Sequence, residues 1–261
     1  MKPAERTILI TGSTDGLGRR LAAALADRGA TVIVQGRDPE KVRTAAGETR
    51  AAEGLVADLA SLNEVRGLAE RVERLGVLVN NAGVIEPERR ESGDGHELTF
   101  AINHLAHFAL TGLLLPKLGE GARIVNVSSI GQAPLDFEDI EFERDYDAFT
   151  AYARSKLAQV LFTIELAGRL GPAGPAVNAL HPATLMDTKM VRAAFGRSQS
   201  SVEEGVEATL RLAIDPGLDG VSGRFFDGAR ESEAHPQAYD PDARRRLWEL
   251  SEELTGVRIP A

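Results

Sequence analysis

The sequence predicts an α/β fold in which a doubly wound, parallel sheet of seven strands carries helices on both faces. Three observations support this prediction. Short, nearly continuous apolar runs alternate with longer amphipathic segments, as expected for strands buried on both faces. A glycine-rich turn follows the first strand, and 43% hydrophobic content in 261 residues is enough for one packed core. We therefore expect residues 1–261 to form a single domain.

The strands are recognised by their β-branched content. They are RTILITG (6–12), TVIVQG (31–36), GLVAD (54–58), VLVNNAG (77–83), RIVNVSS (123–129), AVNALHP (176–182) and GRFFDG (223–228). Between and after them, helical patterns are expected at about 17–29, 39–51, 61–74, 96–118, 150–170, 202–214 and 240–255. This alternation requires right-handed crossovers and a parallel sheet, which binds ligands at the carboxyl ends of its strands.

Two segments interrupt the alternation. Residues 131–149 are acidic and aromatic, and residues 183–201 form a long mixed connection. Loops of this length inside a compact domain are usually lids, binding loops or disordered segments. Both follow the carboxyl end of a strand, so we interpret them as an insert and a substrate loop that wall a pocket. Phe137, Phe142, Phe149, Met186 and Met190 suggest that the pocket is apolar.

Composition excludes several classes of function. The chain has 39 acidic and 30 basic residues, a net charge of −9, which argues against a nucleic-acid-binding face. The absence of cysteine excludes disulfides, thiolate catalysis and Cys-based metal sites. We find no signal-peptide pattern and no apolar run that we judge long enough to span a membrane, so a cytoplasmic location is expected. His104 and His107 lie one turn apart without a third metal ligand, so no metal site is predicted.

The turn TGSTDGLG (11–18) follows the first strand and opens the first helix. Glycines at this place permit a tight turn and let the backbone approach a pyrophosphate, which binds the free amides of the helix N-terminus. The alternative is an ordinary strand–helix turn, but its position after the first strand favours a dinucleotide site of the Rossmann type. Its candidate cofactor-binding residues are Gly12, Ser13, Thr14, Asp15, Gly16, Leu17 and Gly18.

The end of the second strand indicates which dinucleotide is bound. Folds that hold NAD place Asp or Glu about 20 residues beyond the glycines, where it binds the ribose 2′-hydroxyl. Here Gly36 takes that place and Arg37 follows it, so a guanidinium is available to pair with a 2′-phosphate. The alternative is an exposed loop arginine beside Asp38. By this charge argument we favour NADP(H) over NAD(H).

The helix at 150–170 carries a weak acid and a cation one turn apart, Tyr152 and Lys156. Reduction of a carbonyl needs a proton donor, and a phenol with a pKa of about 10 is poorly matched to neutral pH. An ammonium about 5 Å away should lower the pKa of the phenol by about two units. A pair of residues on a solvated helix face is the alternative.

Four motifs in this order resemble the short-chain dehydrogenase/reductase family: the glycine loop, NNAG (80–83), VNVSS (125–129) and YARSK (152–156). The wide spacing between VSS and Tyr152 further resembles its retinol-dehydrogenase-like branch. The resemblance implies that Tyr152 is the catalytic acid or base and that Lys156 also binds the nicotinamide ribose. It implies that Ser129 steadies the substrate oxygen, although Ser128 is an alternative, and that Asn103 supports a proton relay.

The resemblance also implies further cofactor contacts. These are Asp58, Leu59, Asn80, Ala82, Gly83, Pro182, Leu185 and Thr188. One departure from the family pattern occurs in HPATLMDT, where Ala183 replaces the usual glycine and Thr188 comes one place late. Either the loop bulges or Thr188 does not reach the phosphates. Relatives in the family are mostly homodimers or homotetramers, so we expect one of these states.

The leading hypothesis is an NADP(H)-dependent oxidoreductase that interconverts an alcohol and a ketone or aldehyde, with a small apolar compound as substrate. One alternative is a non-catalytic NADP(H)-binding sensor, which would have no need for a tuned phenol. The other is a reductase of a carbon–carbon double bond, because such relatives use the same pair of tyrosine and lysine.

Overall fold

The computed structural model describes residues 6–260, so residues 1–5 and 261 of the predicted domain lie outside the described residues. One sheet contains eight strands in the order β3-β2-β1-β4-β5-β6-β7-β8, rather than the seven predicted. The additional strand, β8, pairs antiparallel with β7, whereas all other pairs are parallel. The strands are β1 (Thr7–Ile10), β2 (Thr31–Gly36), β3 (Glu53–Val56), β4 (Leu75–Asn80), β5 (Leu118–Val127), β6 (Ala176–His181), β7 (Arg224–Asp227) and β8 (Arg230–Ser232).

The helices flank the sheet and mostly begin at side chains that cap them. Asp15, Asp38, Ser61 and Ser201 each accept a hydrogen bond from a backbone N–H of the first turn that follows. The helices are α1 (Gly16–Asp27), α2 (Pro39–Thr49), α3 (Leu62–Arg71), α4 (Leu98–Lys117), α5 (Ala148–Leu170), α6 (Lys189–Phe195), α7 (Val202–Ile214) and α8 (Pro241–Thr255).

Alternation of side chains along the strands divides the core into two layers. In β1, Leu9 faces α3, α4 and α5, whereas Ile8 and Ile10 face α1 and α7 on the other side. All three are fully buried, which explains why the strands are apolar throughout. The order of strands reverses between β1 and β4, and this reversal opens a crevice at their carboxyl ends.

Helix α4 corrects the expectation about membrane-length segments. Over Leu98–Lys117 it is long and apolar enough to cross a membrane by length and composition alone. However, 89% of its apolar window is buried inside the protein, because the helix is packed between the sheet and its neighbours. Its apolar composition is therefore explained by the core. Residues Ala101–Leu105 form a π-helical turn within it, a local widening that often marks a functional site.

The two interrupting segments have more structure than expected. The segment 183–201 contains helix α6, which Thr188 caps by accepting a hydrogen bond from the amide of Val191. In the insert 131–149, Phe137 lies under the guanidinium of Arg246, and Phe142 is buried against Arg154. Both rings are occupied by these contacts, so the prediction that they line the pocket was wrong.

The C-terminal helix α8 is part of the core. Trp248 is buried against Phe108 and Phe162, at ring-centre distances of 5.3 and 6.0 Å, and the guanidinium of Arg169 lies 4.1 Å from its ring. These contacts fasten it to α4 and α5.

Candidate active site

A cleft of about 660 Å³ follows the carboxyl ends of the strands, and this volume is in the usual range for ligand pockets. It runs from the end of β2, past the glycine loop, to the first turns of α5. Most predicted site residues line it: Gly12, Thr14, Asp15, Gly16, Leu17, Gly18, Arg37, Asp58, Leu59, Ala82, Gly83, Ser129, Tyr152, Lys156, Pro182, Leu185 and Thr188.

Three predicted residues lie behind the cleft. The hydroxyl of Ser13 donates to the carbonyl of Ile10 at 2.7 Å, and the amide of Asn80 donates to the side chains of Thr111 and Asn126. Asn103 is also fully buried. The side chains of Ser13 and Asn80 therefore support the site and do not line it.

Packing requires the glycines of the loop. A Cβ on Gly12, whose φ is +61°, would lie 2.8 Å from the Cα of Ala82. A Cβ on Gly18 would lie 2.6 Å from the side-chain nitrogen of Asn81. The loop is thus held against NNAG, and its concave side faces the cleft at the start of α1. Backbone amides at such a helix start suit a pyrophosphate, so the residues present fit a dinucleotide.

At the end of β2, any side chain at position 36 would press against Thr14. A Cβ on Gly36 would lie 2.5 Å from the methyl group of Thr14. Arg37 lines the cleft directly beside this point. The neighbouring Gln35 is buried, where its side chain accepts from the amide of Gly12 and donates to the carbonyl of Ala57.

Ser129 and Tyr152 meet at the far end of the cleft. The hydroxyl of Ser129 lies near the phenol of Tyr152, where it opposes the effect of burial on the tyrosine pKa. It also accepts from the amide of Gly131 at 3.0 Å. The hydroxyl of Ser128 instead donates to the backbone carbonyl of Lys156 at 2.7 Å. Of the two serines, Ser129 therefore faces the reacting position.

Burial, and not Lys156, determines the pKa of Tyr152, so the predicted net lowering of this pKa is not found. Burial raises the pKa of Tyr152 to about 12, and burial lowers the pKa of Lys156 to about 7. The ammonium donates to the carbonyl of Val127 at 2.9 Å and to Oε1 of Gln159 at 3.1 Å, not to the phenol. Loss of solvation sets the direction of both shifts, because both groups are inside the protein.

Asn103 lies in the π-helical turn, directly behind Gly83. Its side-chain oxygen accepts from the amide of Val84 at 2.8 Å, and its nitrogen donates to the carbonyl of Val84 and the hydroxyl of Ser155. A Cβ on Gly83 would lie 3.3 Å from Nζ of Lys156 and 3.6 Å from Oδ1 of Asn103. The side chains of Asn103 and Lys156 therefore both lie close to the backbone of Gly83.

The loop after β6 closes over the glycine loop. Leu185 has a left-handed backbone with φ of +47°, at the place where the sequence departs from the family pattern. The methyl group of Thr188 lies 3.4 Å from the position of a Cβ on Gly16, so Thr188 does reach the loop. Next to it, Nζ of Lys189 forms an ion pair with Asp15 at 2.5 Å.

Apolar side chains surround the opening beside Tyr152. Phe149 and Phe195, which come from the two interrupting segments, meet edge to face with ring centres 5.9 Å apart. Both are partly exposed, as is Ile130, and all three line the cleft together with Met186 and Met190. This part of the cleft suits an apolar substrate.

The two buried histidines pack inside the protein. The pKa of each is lowered to about 3 by burial, and His104 is hydrogen-bonded to Ser251 at 2.8 Å. Among residues 6–260, no group of three possible metal ligands is found.

Sequence reasoning missed several residues that build the site. Gln35, Thr11 and Asn81 hold the loops together, Lys189 pairs with Asp15, and Gln159 accepts from Lys156. Asn81 belongs to NNAG and could have been selected from that motif. Thr11 likewise belongs to the motif TGSTDGLG. Gln35, Gln159 and Lys189 carry no local signal, because their roles depend on contacts between different segments.

Comparisons with known proteins agree with this geometry. The family model described as short chain dehydrogenase matches residues 6–198. Retinol dehydrogenase 13 of Mus musculus is 40% identical over 285 residues, covering 97% of this chain and 85% of that protein. A crystal structure of a Mycobacterium paratuberculosis protein has a TM-score of 0.83 and 34% identity, covering 98% of this chain and 96% of that one. A short chain dehydrogenase from Shigella flexneri, complexed with NADP, has a TM-score of 0.71 and 27% identity, covering 87% and 98% of the two chains.

Proposed function

The chain belongs to the short-chain dehydrogenase/reductase family, in its retinol-dehydrogenase-like branch, and from this premise we propose that it is an NADP(H)-dependent reductase of ketones or aldehydes. The observation that carries the proposal is the meeting of Ser129, Tyr152 and Lys156 at one end of a cleft whose other end is the glycine loop. A sensor that only binds the cofactor would need the loop but not these three groups.

Bound in this cleft, the nicotinamide of NADPH would supply the hydride for the carbonyl carbon. Tyr152 donates its phenolic proton to the carbonyl oxygen, so the carbonyl gains one hydride and one proton and becomes an alcohol. Ser129 donates a hydrogen bond to the same oxygen while negative charge develops there. Alcohol oxidation is the reverse of these steps.

The pKa values of the two buried groups set the protonation state from which the reaction begins. Because burial raises the pKa of Tyr152 to about 12, the phenol is protonated at neutral pH. The phenolate left behind is stabilised by the hydroxyl of Ser129 and by the charge of Lys156, whose Nζ lies 5.5 Å from the centre of the tyrosine ring. Lys156, with a pKa of about 7, changes its charge near neutral pH.

Preference for NADP(H) rests on the end of β2. Position 36 has no carboxylate, a side chain there would press against Thr14, and Arg37 lines the cleft beside it. A carboxylate would bind the 2′-hydroxyl of NAD, whereas a guanidinium pairs with a 2′-phosphate. The similar Shigella flexneri structure in complex with NADP supports the same preference.

The proposed substrate is an apolar ketone or aldehyde. Ile130, Phe149 and Phe195 give the opening its apolar surface, and a retinol dehydrogenase is among the similar proteins. Nothing in the described lining offers a cluster of cations for a charged substrate group near Tyr152.

The test is NADPH oxidation by the purified chain with a panel of apolar ketones and aldehydes, comparing wild type with Tyr152→Phe. Loss of a general acid should lower turnover by about 10²- to 10⁴-fold. Tyr239→Phe is the matched control, because Tyr239 is exposed and far along the chain from the cleft residues. Absence of turnover by wild type, or full turnover by Tyr152→Phe, would exclude the proposal.

A further inference from the structure

A buried polar chain runs behind Lys156, on the side away from the cleft. Nζ of Lys156 donates to Oε1 of Gln159 at 3.1 Å, and Nε2 of Gln159 lies 3.2 Å from Nδ1 of His107. On its other side, Nε2 of His107 lies 3.0 Å from the hydroxyl of Thr11. That hydroxyl accepts from the backbone amides of Asn81 and Ala82. The chain thus connects the lysine with the turn that supports the cofactor cleft.

These contacts are removed from solvent. Gln159 and His107 are each 1% exposed and Lys156 is 3% exposed, so each hydrogen bond lost there would leave a buried polar group without a partner. The titratable groups facing the lysine are His107 on α4 and Tyr152 on its own helix. Burial is the cause that lowers the pKa of Lys156, and no carboxylate contributes to it. The side chain that accepts from Lys156 is therefore a neutral amide. It orients the amine but adds no negative charge that would keep the amine protonated.

We propose that Gln159, backed by His107, is a positioning residue that holds the Lys156 ammonium toward the cleft. The inference rests on the proposed function, in which the charge of Lys156 stabilises the tyrosine phenolate. Two of the three ammonium hydrogens are directed to Val127 and Gln159. These two hydrogen bonds determine the direction in which the third hydrogen points. If the side chain of Lys156 rotated away from Gln159, the third hydrogen would no longer point in that direction.

The positive charge of Lys156 also determines which atom of the Gln159 amide faces it. An ammonium can only donate, so Oε1 of Gln159 faces it and the amide nitrogen faces His107. Two tautomers of His107 are compatible with the distances. With the ring proton on Nε2, Nδ1 accepts from Gln159. With the proton on Nδ1, the ring donates to the carbonyl of Asn103 at 3.1 Å, and Nε2 accepts from the hydroxyl of Thr11. The position of the ring proton therefore shows which partner His107 serves.

The first experiment measures the titration of Lys156 by its ¹⁵N side-chain resonance in the full-length protein, with the signal assigned by its loss in Lys156→Met. Gln159→Glu keeps the shape and adds a carboxylate, which should raise the midpoint by about 1 to 3 pH units. Gln159→Met removes the acceptor of the charged form and should lower the midpoint. An unchanged midpoint in both variants would overturn the proposal, because a purely structural glutamine affects folding stability and not this titration.

The second experiment separates kcat from KM with a carbonyl substrate of the wild type. Gln159→Met should lower kcat roughly 10- to 100-fold, the usual cost of a displaced catalytic group, with little change in the KM of the carbonyl. His107→Leu should have the same effect, whereas His104→Leu, one turn earlier and bonded to Ser251, should only lower stability. Equal kcat values for the two histidine variants would remove His107 from the proposal.

The third experiment is the ¹⁵N shift pattern of His107 at a pH below the Lys156 midpoint, where the proton is expected on Nε2. A proton on Nδ1 would assign His107 to the Asn103 carbonyl and overturn its role behind Gln159.

Failure of the proposed function is distinguishable from failure of this inference. If the protein reduces no carbonyl but substitutions of Gln159 still shift the titration midpoint of Lys156, then Gln159 does position the lysine and the proposed reaction is wrong.

Discussion

Nζ of Lys156 lies 5.5 Å from the centre of the Tyr152 ring, and the two groups are one turn apart on α5. Burial raises the pKa of Tyr152 to about 12, so the phenol is protonated near pH 7, and it lowers the pKa of Lys156 to about 7, where about half of the amines carry a proton. The pair therefore begins a reductive cycle with its proton on the phenol. Four predictions follow from this pair and from the residues around the cleft.

The burial of Lys156 should appear in the pH dependence of stability. The pKa of the lysine is about 7 in the folded chain and about 10.4 when unfolded, so the unfolded chain binds more protons between these values. Stability should therefore rise with pH across this window, with a contribution on the order of 2 kcal/mol from pH 7 to pH 9. Urea unfolding at the two pH values measures this gain.

Lys156→Met should lose the gain, whereas the control Lys41→Met, at an exposed position on α2, should keep it. A wild type and a Lys156→Met protein with the same change from pH 7 to pH 9 would show that the lysine is not desolvated.

Arg37→Asp should reverse the charge that selects the cofactor. The substitution removes a charge-assisted pair with a 2′-phosphate and adds repulsion, so NADPH binding should weaken by about 1 to 3 kcal/mol more than NADH binding. Fluorescence titration with both cofactors measures the difference. Arg43→Asp makes the same change of charge on the exposed face of α2 and should leave the preference unchanged. A preference that survives Arg37→Asp would identify Arg37 as a loop residue only.

Lys189→Met should accelerate the release of NADPH. The ion pair between Lys189 and Asp15 connects the start of α6 with the glycine loop across the cleft. Both side chains are largely exposed, so the pair is worth about 0.2 to 1 kcal/mol, and release measured by stopped flow should become roughly 1.5- to 5-fold faster. High salt should accelerate release in the wild type for the same reason.

The control for this prediction is Arg192→Met. Arg192 pairs with Asp187 inside the same segment, so its loss breaks an ion pair without opening the contact to the glycine loop. Identical release rates for wild type and Lys189→Met at low salt would contradict a role for the pair in retaining the cofactor.

Phe149→Ala or Phe195→Ala should change the selectivity for substrate size. The two rings touch at the opening of the cleft, where they can bury the apolar part of a substrate. Either truncation should lower kcat/KM for large apolar carbonyls roughly 5- to 10-fold, as expected for about 1 kcal/mol of lost apolar contact, and affect small ones less. A homologous series of aldehydes of increasing length provides the measurement.

Phe137→Ala is the control for the aromatic pair, since that ring lies under Arg246 and outside the cleft lining. If Phe137→Ala and Phe149→Ala changed the series in the same way, the effect would come from stability and not from the opening.

Local pattern was sufficient for most of the fold. Seven strands and seven helices were predicted close to their observed positions, because most of these strands are buried on both faces and most of the helices have one apolar face. Helix α6 was missed although Thr188 and Gly196 mark its ends, since the segment has only seven helical residues and little apolar periodicity. Strand β8 has three residues, all exposed, and it pairs with β7. Because none of the three is apolar and buried, the hydrophobic pattern gave no sign of this strand.

The site was predictable where chemistry is carried by a motif and not where it depends on solvation. The glycine loop, Tyr152 and Lys156 were named from their spacing and Ser129 from the family resemblance, and the structure brings them to one cleft. The direction of the pKa of Tyr152 was wrong because the sequence shows its charged neighbour but not how far both groups are buried.

The contact between Gly36 and Thr14 has a consequence for how such a protein could change its cofactor over evolutionary time. A single codon change that places aspartate at position 36 would drive its Cβ to 2.5 Å from the threonine methyl. The side chain of Thr14 would then have to rotate or be replaced by a smaller one. Positions 14 and 36 are therefore coupled in any lineage that switches to NAD.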